Sequence, residues 1–451
     1  MPIRASAAAL LLLAPLAAAA QGVIPLPKAL VFPNYDNVLV GKNQALEGGA
    51  YIARVNDASA NFYNPAGLAA AEKTQLNASS TGYVYSHLSS TASGESVSAN
   101  KWDNVPGYFG AVLPPPFVDT RDWRIGLSVT RSVAWSPGGI DQAIAPTASD
   151  FDRVTFSTES SFTTLLYQLA AAWAPAKSLR LGASGGLAQT NFSSQITLSG
   201  NTSPAGQPGQ FLSTLRANGS DYAILFTFGV QWDVLAGLTV GAVVRPPGIH
   251  VGATSLVTQE SSFVQPTSGT STYFRDENGA FRYKLPAEAS LGVAYRFTNV
   301  EFEIDVRYHD AVSQYDFYRS NVPIQVLTQA NGTSSVTTLP LQVVTYSARR
   351  VFNGAVGASW RVGRLATLHG GFYSSLSPVD NAATAPFRKA DLYGFTGGVD
   401  FQFEKFGASL GAGYQFGSSQ AVGNVALGSA LTASEISLQS ISIIYAISYQ
   451  F

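Results

Sequence analysis

From about residue 73 to the last residue, apolar and polar side chains alternate along the chain. Successive side chains of a β-strand point to opposite faces of its sheet, so a period of two with one apolar face indicates a strand. One clear stretch places four apolar residues on one face and four other residues on the opposite face, namely Trp123, Ile125, Leu127 and Val129 against Arg124, Gly126, Ser128 and Thr130. Repetition of this pattern predicts an all-β protein whose sheet has one apolar side.

The same alternation recurs at 226–232, 291–297, 300–308 and 441–451. We expect about fourteen strands, near residues 75–88, 105–113, 121–133, 161–174, 177–196, 217–232, 237–249, 284–297, 300–315, 343–360, 364–375, 390–403, 406–419 and 435–451. After residue 20 no apolar run approaches the roughly 18 residues that a membrane helix needs. Membrane crossing by alternating strands reconciles this fact with the high apolar content.

The connections between these strands alternate in length. Tight turns are predicted near 175–176, 233–236, 298–299, 361–363 and 404–405, and long loops rich in Ser, Thr, Gly and Asn near 134–160, 197–216, 250–283, 316–342, 376–389 and 420–434. Short turns at one end and long loops at the other are typical of an outer-membrane barrel. The predicted fold is therefore a transmembrane antiparallel β-barrel of about 14 strands.

The last predicted strand is the clearest of all. Its apolar face carries Ile441, Ile443, Tyr445, Ile447, Tyr449 and Phe451. A buried edge strand of a soluble sandwich is the alternative, but aromatic residues at so many strand ends are typical of interfacial girdles. The terminal Phe451 resembles the signal read by the barrel assembly machinery, which we therefore expect as a partner.

One stretch just before the alternation, 57–68, has neither strand nor helix period. Proline fixes φ, lacks an N–H and disfavours helix at the preceding residue, so Asn64-Pro65 and Ala66-Gly67 indicate turns. Backbone N–H and C=O groups without strand or helix partners must be paired with water or with other protein groups. We expect the barrel to enclose this segment.

The stretch also carries a resemblance. Asn56-Asp57-Ala58-Ser59-Ala60, followed by Phe62-Tyr63-Asn64-Pro65-Ala66-Gly67-Leu68, resembles the N-terminal plug, or hatch, of the FadL/TodX family of outer-membrane transporters for long-chain fatty acids and other hydrophobic compounds. Similar strings follow at 283–297, 372–380 and 397–400. The resemblance implies a plug inside the lumen whose movement, together with an opening in the wall, releases ligand towards the membrane. The implied moving part comprises Asn61, Phe62, Tyr63, Asn64, Pro65, Ala66 and Gly67.

The 451-residue chain has 12% charged residues, 12% aromatic residues, a net charge of −1 and no cysteine. Residues 1–20 contain one basic residue, an apolar run and a small-residue end, which predicts a signal peptide cleaved near Ala20. The predicted divisions are a signal peptide (1–20), a leader and plug (21–72) and a barrel (73–451), located in the bacterial outer membrane among lipid and lipopolysaccharide. Without a basic field, we expect no nucleic-acid partner.

Two sets of residues are candidates for ligand contact. Apolar loop residues could form a first landing site, or only pack the loops: Phe211, Leu215, Phe263 and Phe274, with Leu212 and Phe281 nearby. Arg296 or Arg307 on the inward face could bind a carboxylate. Alternatively, these inward charges pair with one another or with plug residues such as Arg54 and Lys42. Inward glycines at 182, 186, 407, 411 and 413 predict a smooth wall against the plug.

The leading function is passive uptake of hydrophobic molecules, most readily long-chain fatty acids. Alternatives are an aromatic-hydrocarbon channel of the same family and a general porin for small polar solutes, against which the plug-like segment speaks. A barrel enzyme is disfavoured because no Ser or Asp arrangement marks a nucleophile and base beside the four histidines. A structural or adhesive barrel stays open. We expect no catalytic residue, no metal site and no cofactor.

Overall fold

The computed structural model describes residues 31–92, 95–115, 122–136, 140–144, 151–202, 209–266, 268–330, 332–380, 386–422 and 434–451. The predicted signal peptide (1–20) and the first part of the leader lie outside these residues. Among the described residues, no helix combines the length and the apolar character that crossing a membrane requires.

Twenty-two strands are present in the described part of the chain. In chain order they are β1 (Gln75–Ala92), β2 (Glu95–Leu113), β3 (Trp123–Trp135), β4 (Ile140–Ile144), β5 (Phe151–Ala176), β6 (Leu179–Thr202), β7 (Gly209–Leu235), β8 (Leu238–Arg245), β9 (Ile249–Val264), β10 (Ser268–Asp276), β11 (Ala280–Phe281), β12 (Glu288–Arg296), β13 (Val300–His309), β14 (Val312–Arg319), β15 (Ile324–Ala330), β16 (Thr333–Leu339), β17 (Val343–Ala348), β18 (Val351–Val362), β19 (Ala366–Ser375), β20 (Ala390–Phe403), β21 (Phe406–Val422) and β22 (Ser434–Gln450).

Fourteen of these strands pair side by side into a closed antiparallel ring. Its order is β1, β2, β3, β5, β6, β7, β8, β12, β13, β18, β19, β20, β21 and β22. The ring closes where Gln75 of β1 lies opposite Gln450 of β22. Closure removes the unpaired strand edges that would otherwise template aggregation. The expected fourteen-strand barrel is confirmed.

The two faces of the ring differ as the sequence predicts. On β12, the outward residues Leu291 and Val293 are 62% and 49% exposed. Ser290, which points to the opposite face, is 1% exposed. The last strand repeats this pattern, with Ile447 53% exposed beside Ala446 at 2%. In a water-soluble protein such a continuous apolar exterior would be unfavourable, so it is the lipid-facing band of a membrane barrel.

The regions expected to be loops contain more strand than the sequence suggests. Strands β9, β10, β15 and β16 form hairpins beyond the ring, and β5, β6 and β7 extend past their predicted ends. Strands β11, β14 and β17 form a separate small sheet. The prediction missed these hairpins because both faces of a strand such as β16 are exposed, so no apolar alternation marks it.

Candidate functional site

The first described residues, 31–72, lie inside the barrel and are here called the lumenal segment. Apart from two 3-10 turns, Ala45–Glu47 and Pro65–Ala70, it contains one short helix, α1 (Ala60–Tyr63). The Asn64 side-chain oxygen accepts a hydrogen bond from the Ala66 N–H at 3.1 Å, and Pro65 occupies the first position of the following turn. Both are ordinary helix-start chemistry, which explains the local shape of the predicted turn.

Asn64 also ties this turn to the rest of the molecule. Its side-chain amide donates to the carbonyl of Ile52 at 2.8 Å and to the carbonyl of Val230 on β7 at 2.9 Å. Of the seven residues implied as the moving part, all but the partly buried Phe62 are buried. The segment therefore contacts the barrel through its most turn-like residues.

Two carboxylates of β13 hold the middle of the lumenal segment. Asp305 accepts hydrogen bonds from the Tyr51 N–H at 2.8 Å and the Ile52 N–H at 3.2 Å, and Glu303 accepts one from Ala53 at 2.5 Å. Both side chains are fully buried or nearly so. These bonds satisfy backbone donors that have no helix or sheet partner.

Arg54 adds ion pairs at the same place. Its guanidinium lies 2.9 Å from the Glu303 carboxylate and 3.5 Å from that of Glu301, and it also pairs closely with Glu47 of its own segment. Glu47 in turn contacts the ring nitrogen of His369 on β19 at 2.6 Å. A buried cation among several carboxylates is the arrangement that costs most to break on one side only.

A second polar junction is centred on Asp36. Its carboxylate contacts Arg307 at 3.1 Å, His309 at 3.0 Å and the side-chain amide of Asn353 at 2.6 Å. Burial raises the pKa of Asp36, but His309 and then Arg307 outweigh it and hold that pKa well below its usual range. Asp36 is therefore an anion at neutral pH, and Arg307 already has an acidic partner.

Both arginines proposed for carboxylate binding are thus engaged. Arg296 lies at the exposed end of β12, 66% exposed at its side chain, with its Nε 2.6 Å from Glu301. A third tie joins Lys42 of the lumenal segment to Asp400 of β20 at 2.8 Å. This pattern matches the alternative in which lumen charges pair with segment residues such as Arg54 and Lys42.

Glycines let the wall approach the lumenal segment closely. A Cβ at Gly182 would lie 2.3 Å from the backbone of Pro65 and Ala66, and one at Gly371 would lie 2.1 Å from Glu47. Real Cβ atoms do not come so near, so these positions accept only glycine without movement. Similar clashes with the segment arise at other inward glycines: Gly126, Gly229, Gly241, Gly292, Gly357, Gly398, Gly407 and Gly411. By contrast, Gly186 and Gly413 meet barrel atoms only.

The other end of the interior is apolar, and we call it the aromatic cluster. Phe387 is fully buried at its centre, with ring centroids 5.1 Å from Phe317 and from Tyr346. Edge-to-face rings add about 0.5–1.5 kcal/mol per pair beyond the area they bury. The buried aromatic members are Phe162, Phe192, Phe274, Phe281, Tyr283, Tyr315, Phe317, Tyr318, Tyr346 and Phe387.

The predicted ligand contacts occupy two different places. Leu215 and Phe274 are buried members of the aromatic cluster, as is Phe281. Phe211 lies opposite Phe263 in the β7–β9 pairing, farther along the extension of the wall, and both are partly buried. The structure thus brings Leu215 and Phe274 together and places Phe211 and Phe263 side by side.

Between the aromatic cluster and the lumenal segment lies a cavity of about 70 Å³, here called the Phe62 cavity. Apolar walls come from Phe62, Leu166, Leu225 and Leu285. Its charged lining residues are paired with one another: Asp36 with Arg307 and His309, and Arg245 with Glu288.

A second cavity, of about 110 Å³, is here called the Arg131 cavity. Residues 37–39 of the lumenal segment form one side, and Arg131 and Trp135 of β3 form another. Further lining comes from β1, β19, β21 and β22: Val84, Ser86, Tyr373, Gly413, Tyr414, Gln415, Ser440 and Ser442.

The wall beside this cavity is incompletely paired. Described pairs between β2 and β3 run only from Leu113 opposite Ile125 to Tyr108 opposite Thr130. Both strands continue beyond that point, to Glu95 and to Trp135. On their other sides, β2 pairs with β1 as far as Glu95 and β3 pairs with β5 as far as Trp135. We call the unpaired stretch between β2 and β3 the β2–β3 seam.

Sequence reasoning missed three features of the site. Phe387 lies in an expected loop and Tyr346 in an expected barrel strand, and Arg131 resembles many other polar residues near strand ends. The only local signals were the aromatic residues themselves. Their convergence depends on which loops fold inward, which no short-range pattern records.

Comparisons with known proteins agree with this fold. No protein-family model and no curated protein matches the chain. Among solved structures, a Pseudomonas aeruginosa FadL homologue superposes with a TM-score of 0.61 at 12% identity, over 93% of this chain and 100% of that one. The Pseudomonas putida toluene transporter TodX gives a TM-score of 0.59 at 14% identity, over 91% and 98%. The monoaromatic hydrocarbon channel CymD gives 0.54 at 14% identity, over 92% and 99%. The fold is that of FadL and TodX, as the sequence resemblance implied.

Proposed function

We propose that this FadL-type barrel is a passive outer-membrane channel for hydrophobic molecules, and that long-chain fatty acids are among its substrates. The proposal rests on the order of three regions in the lumen. The aromatic cluster comes first, the Phe62 cavity follows, and then comes the lumenal segment, which is hydrogen-bonded to the barrel wall. An apolar interior captures greasy solutes by removing their surface from water. A general porin instead has a polar, water-filled lumen.

The proposed location and partners follow from the same features. The apolar exterior requires a membrane, and a barrel of this kind belongs in the bacterial outer membrane, in contact with lipid and lipopolysaccharide. Cleavage near Ala20 and insertion by the barrel assembly machinery complete this proposal. The function is transport without chemical conversion of the substrate. Several solved structures with the same fold are named as transporters or channels, including two toluene transporters and a monoaromatic hydrocarbon channel.

In this proposal the lumenal segment is the plug and the β2–β3 seam is the exit. A ligand enters among the aromatic rings, reaches the Phe62 cavity, and leaves sideways where the wall lacks pairing. Asn61 to Gly67 form the moving part. Asn64 of this stretch is hydrogen-bonded to Ile52 and to Val230, so movement of the stretch would break these contacts. Only the bond to Val230 joins Asn64 to β7, so losing that bond would detach the Asn64 side chain from the wall.

The test is uptake by cells that lack their own hydrophobic transporters. Radiolabelled oleate, toluene and a disaccharide are supplied to cells with the wild-type protein, with a variant lacking Asn64 to Gly67, and with a control variant lacking Ser334 to Thr337, four exposed residues of β16. We expect protein-dependent uptake of oleate and not of the disaccharide, altered by the first deletion only. Toluene uptake alone would assign the aromatic-hydrocarbon function. Disaccharide uptake alone would assign a porin and contradict the proposal.

A further inference from the structure

Arg131 is the only charged residue among the described residues that line the Arg131 cavity. Within the described part of the chain it has no ion pair, and its Nε atom is buried without a hydrogen-bond partner. A guanidinium stays charged in proteins, so a buried one normally has an acidic partner. In the Phe62 cavity each acidic lining residue is paired with a basic one, which makes the two cavities chemically different.

The rest of the Arg131 cavity suits an anion attached to an apolar chain. Apolar surface comes from Leu39, Val84 and Trp135. A hydroxyl group that can donate a hydrogen bond comes from Ser440, while carboxylates are absent from the described lining. Two oxygens of a carboxylate can accept from one guanidinium at the same time, which gives both strength and orientation.

Backbone geometry places Arg131 at a particular point of the wall. Thr130 is the last β3 residue with a β2 partner, and Arg131 is the next residue, where the β2–β3 seam begins. The pairing of β3 with β5 shifts register between Arg131 and Val133. A bulge of this kind turns a side chain away from the regular alternation and is common beside functional sites.

We propose that Arg131 binds the carboxylate of an acidic amphiphile on the inner side of the β2–β3 seam, and so selects acids over neutral hydrophobic molecules. This inference rests on the proposed function and names a selectivity residue for it. The apolar chain of the ligand extends from the cavity along the seam. Arg307 and Arg296, the arginines suggested by the sequence, keep their carboxylate partners while the ligand passes.

The chain offers a matched control in Arg388. Its Nε is also buried without a partner, and burial lowers the pKa of Arg388 to about 10. Its backbone N–H donates to Val31 beside the aromatic cluster, but Arg388 is not among the described lining of either cavity. Removing Arg388 therefore removes an unpaired cation without changing the Arg131 cavity.

The experiment compares oleate with methyl oleate, which has the same chain and no charge. Equilibrium binding of both radiolabelled ligands is measured on the full protein in lipid nanodiscs, with empty nanodiscs subtracted. We expect the wild type to prefer oleate, Arg131→Gln to weaken oleate binding by about ten- to a hundredfold, and methyl oleate to change by less than about twofold. Arg131→Lys keeps the charge but loses the two-pronged geometry, so it should fall between the two. Arg388→Gln should leave both affinities unchanged.

Several results would overturn this assignment. The first is an equal loss of oleate and methyl oleate binding in Arg131→Gln. The second is unchanged oleate binding in that variant, and the third is a selective loss of oleate binding in Arg388→Gln. If Arg131→Gln does not fold, the test rests on Arg131→Lys and on the wild-type preference for oleate over methyl oleate. Equal wild-type affinities for the two ligands reject the site. A wild type that binds neither ligand rejects the proposed function itself, whereas binding both equally rejects only the role of Arg131.

Discussion

The two ends of the barrel interior are held together by opposite kinds of contact. Around the lumenal segment, Arg54, Asp36 and Lys42 pair with charged residues of the wall, and bare glycines allow backbone to touch backbone. In the aromatic cluster, rings such as Phe387 pack edge to face and few contacts are directional. A buried charged network holds the lumenal segment in one position or releases it completely, because removing one partner of a buried ion pair leaves an uncompensated charge. An apolar cluster can part around a greasy ligand, since ligand contacts replace ring contacts.

This difference suggests a division of labour. In the proposed channel, the aromatic cluster admits hydrophobic ligands by exchange of similar surfaces, and the polar junctions keep the segment in place against water and ions. Variants that disturb each region should then have distinct effects, on leakage of polar solutes in one case and on selectivity in the other.

The largest effect is expected from Arg54→Met. It leaves Glu47 and Glu303, both fully buried, without their cation. Breaking a buried pair on one side costs about 3–5 kcal/mol, so we expect the lumenal segment to become protease-sensitive and the barrel to conduct ions. Limited proteolysis and conductance in planar bilayers measure this.

Arg296→Met is the matched control, because its side chain is 66% exposed although it pairs with Glu301 at 2.6 Å. An exposed pair contributes about 0–1 kcal/mol, so conductance and cleavage should stay at the wild-type level. Equal behaviour of the two variants would contradict the view that burial, and not pairing as such, holds the segment.

A smaller effect is expected from Gly371→Ala. Its new Cβ would lie 2.1 Å from Glu47, whereas one at the adjacent Gly370 would have no neighbour nearer than 3.9 Å. Overpacking costs about 1–3 kcal/mol, so Gly371→Ala should lower the melting temperature or raise the proteolysis rate of the segment, and Gly370→Ala should do neither. If both variants behave as wild type, the close approach of wall and segment does not matter for docking.

The smallest effect on stability is expected from Phe387→Leu, in the aromatic cluster. A swap between large apolar residues usually costs less than about 1.5 kcal/mol. Loss of ring contacts worth about 0.5–1.5 kcal/mol each should reduce toluene uptake by about two- to tenfold relative to oleate. Parallel losses of both substrates would show that the cluster only closes the lumen and does not contribute to selectivity.

Several features of this protein are local in sequence, and the sequence determined them. Alternation on strands such as β12 and β22 follows from the two-residue period of a strand between lipid and lumen, so the barrel, the number of strands in its ring and the lipid-facing side chains could all be predicted. The turn at Asn64-Pro65 is likewise fixed by proline and by a side-chain hydrogen bond to Ala66.

Only the tertiary structure decided how charges and rings meet. Asp36 and Arg307 are 271 residues apart in sequence, and nothing local shows that they pair while Arg131 has no acidic partner among the described residues. The same holds for Phe387 and Tyr346, which come from a loop and from strand β17 and meet inside the barrel. A strand's period records which face a side chain occupies, but its partner across a fourteen-strand ring depends on closure of the whole barrel. That physical difference separates the features that could be predicted from those that required the folded structure.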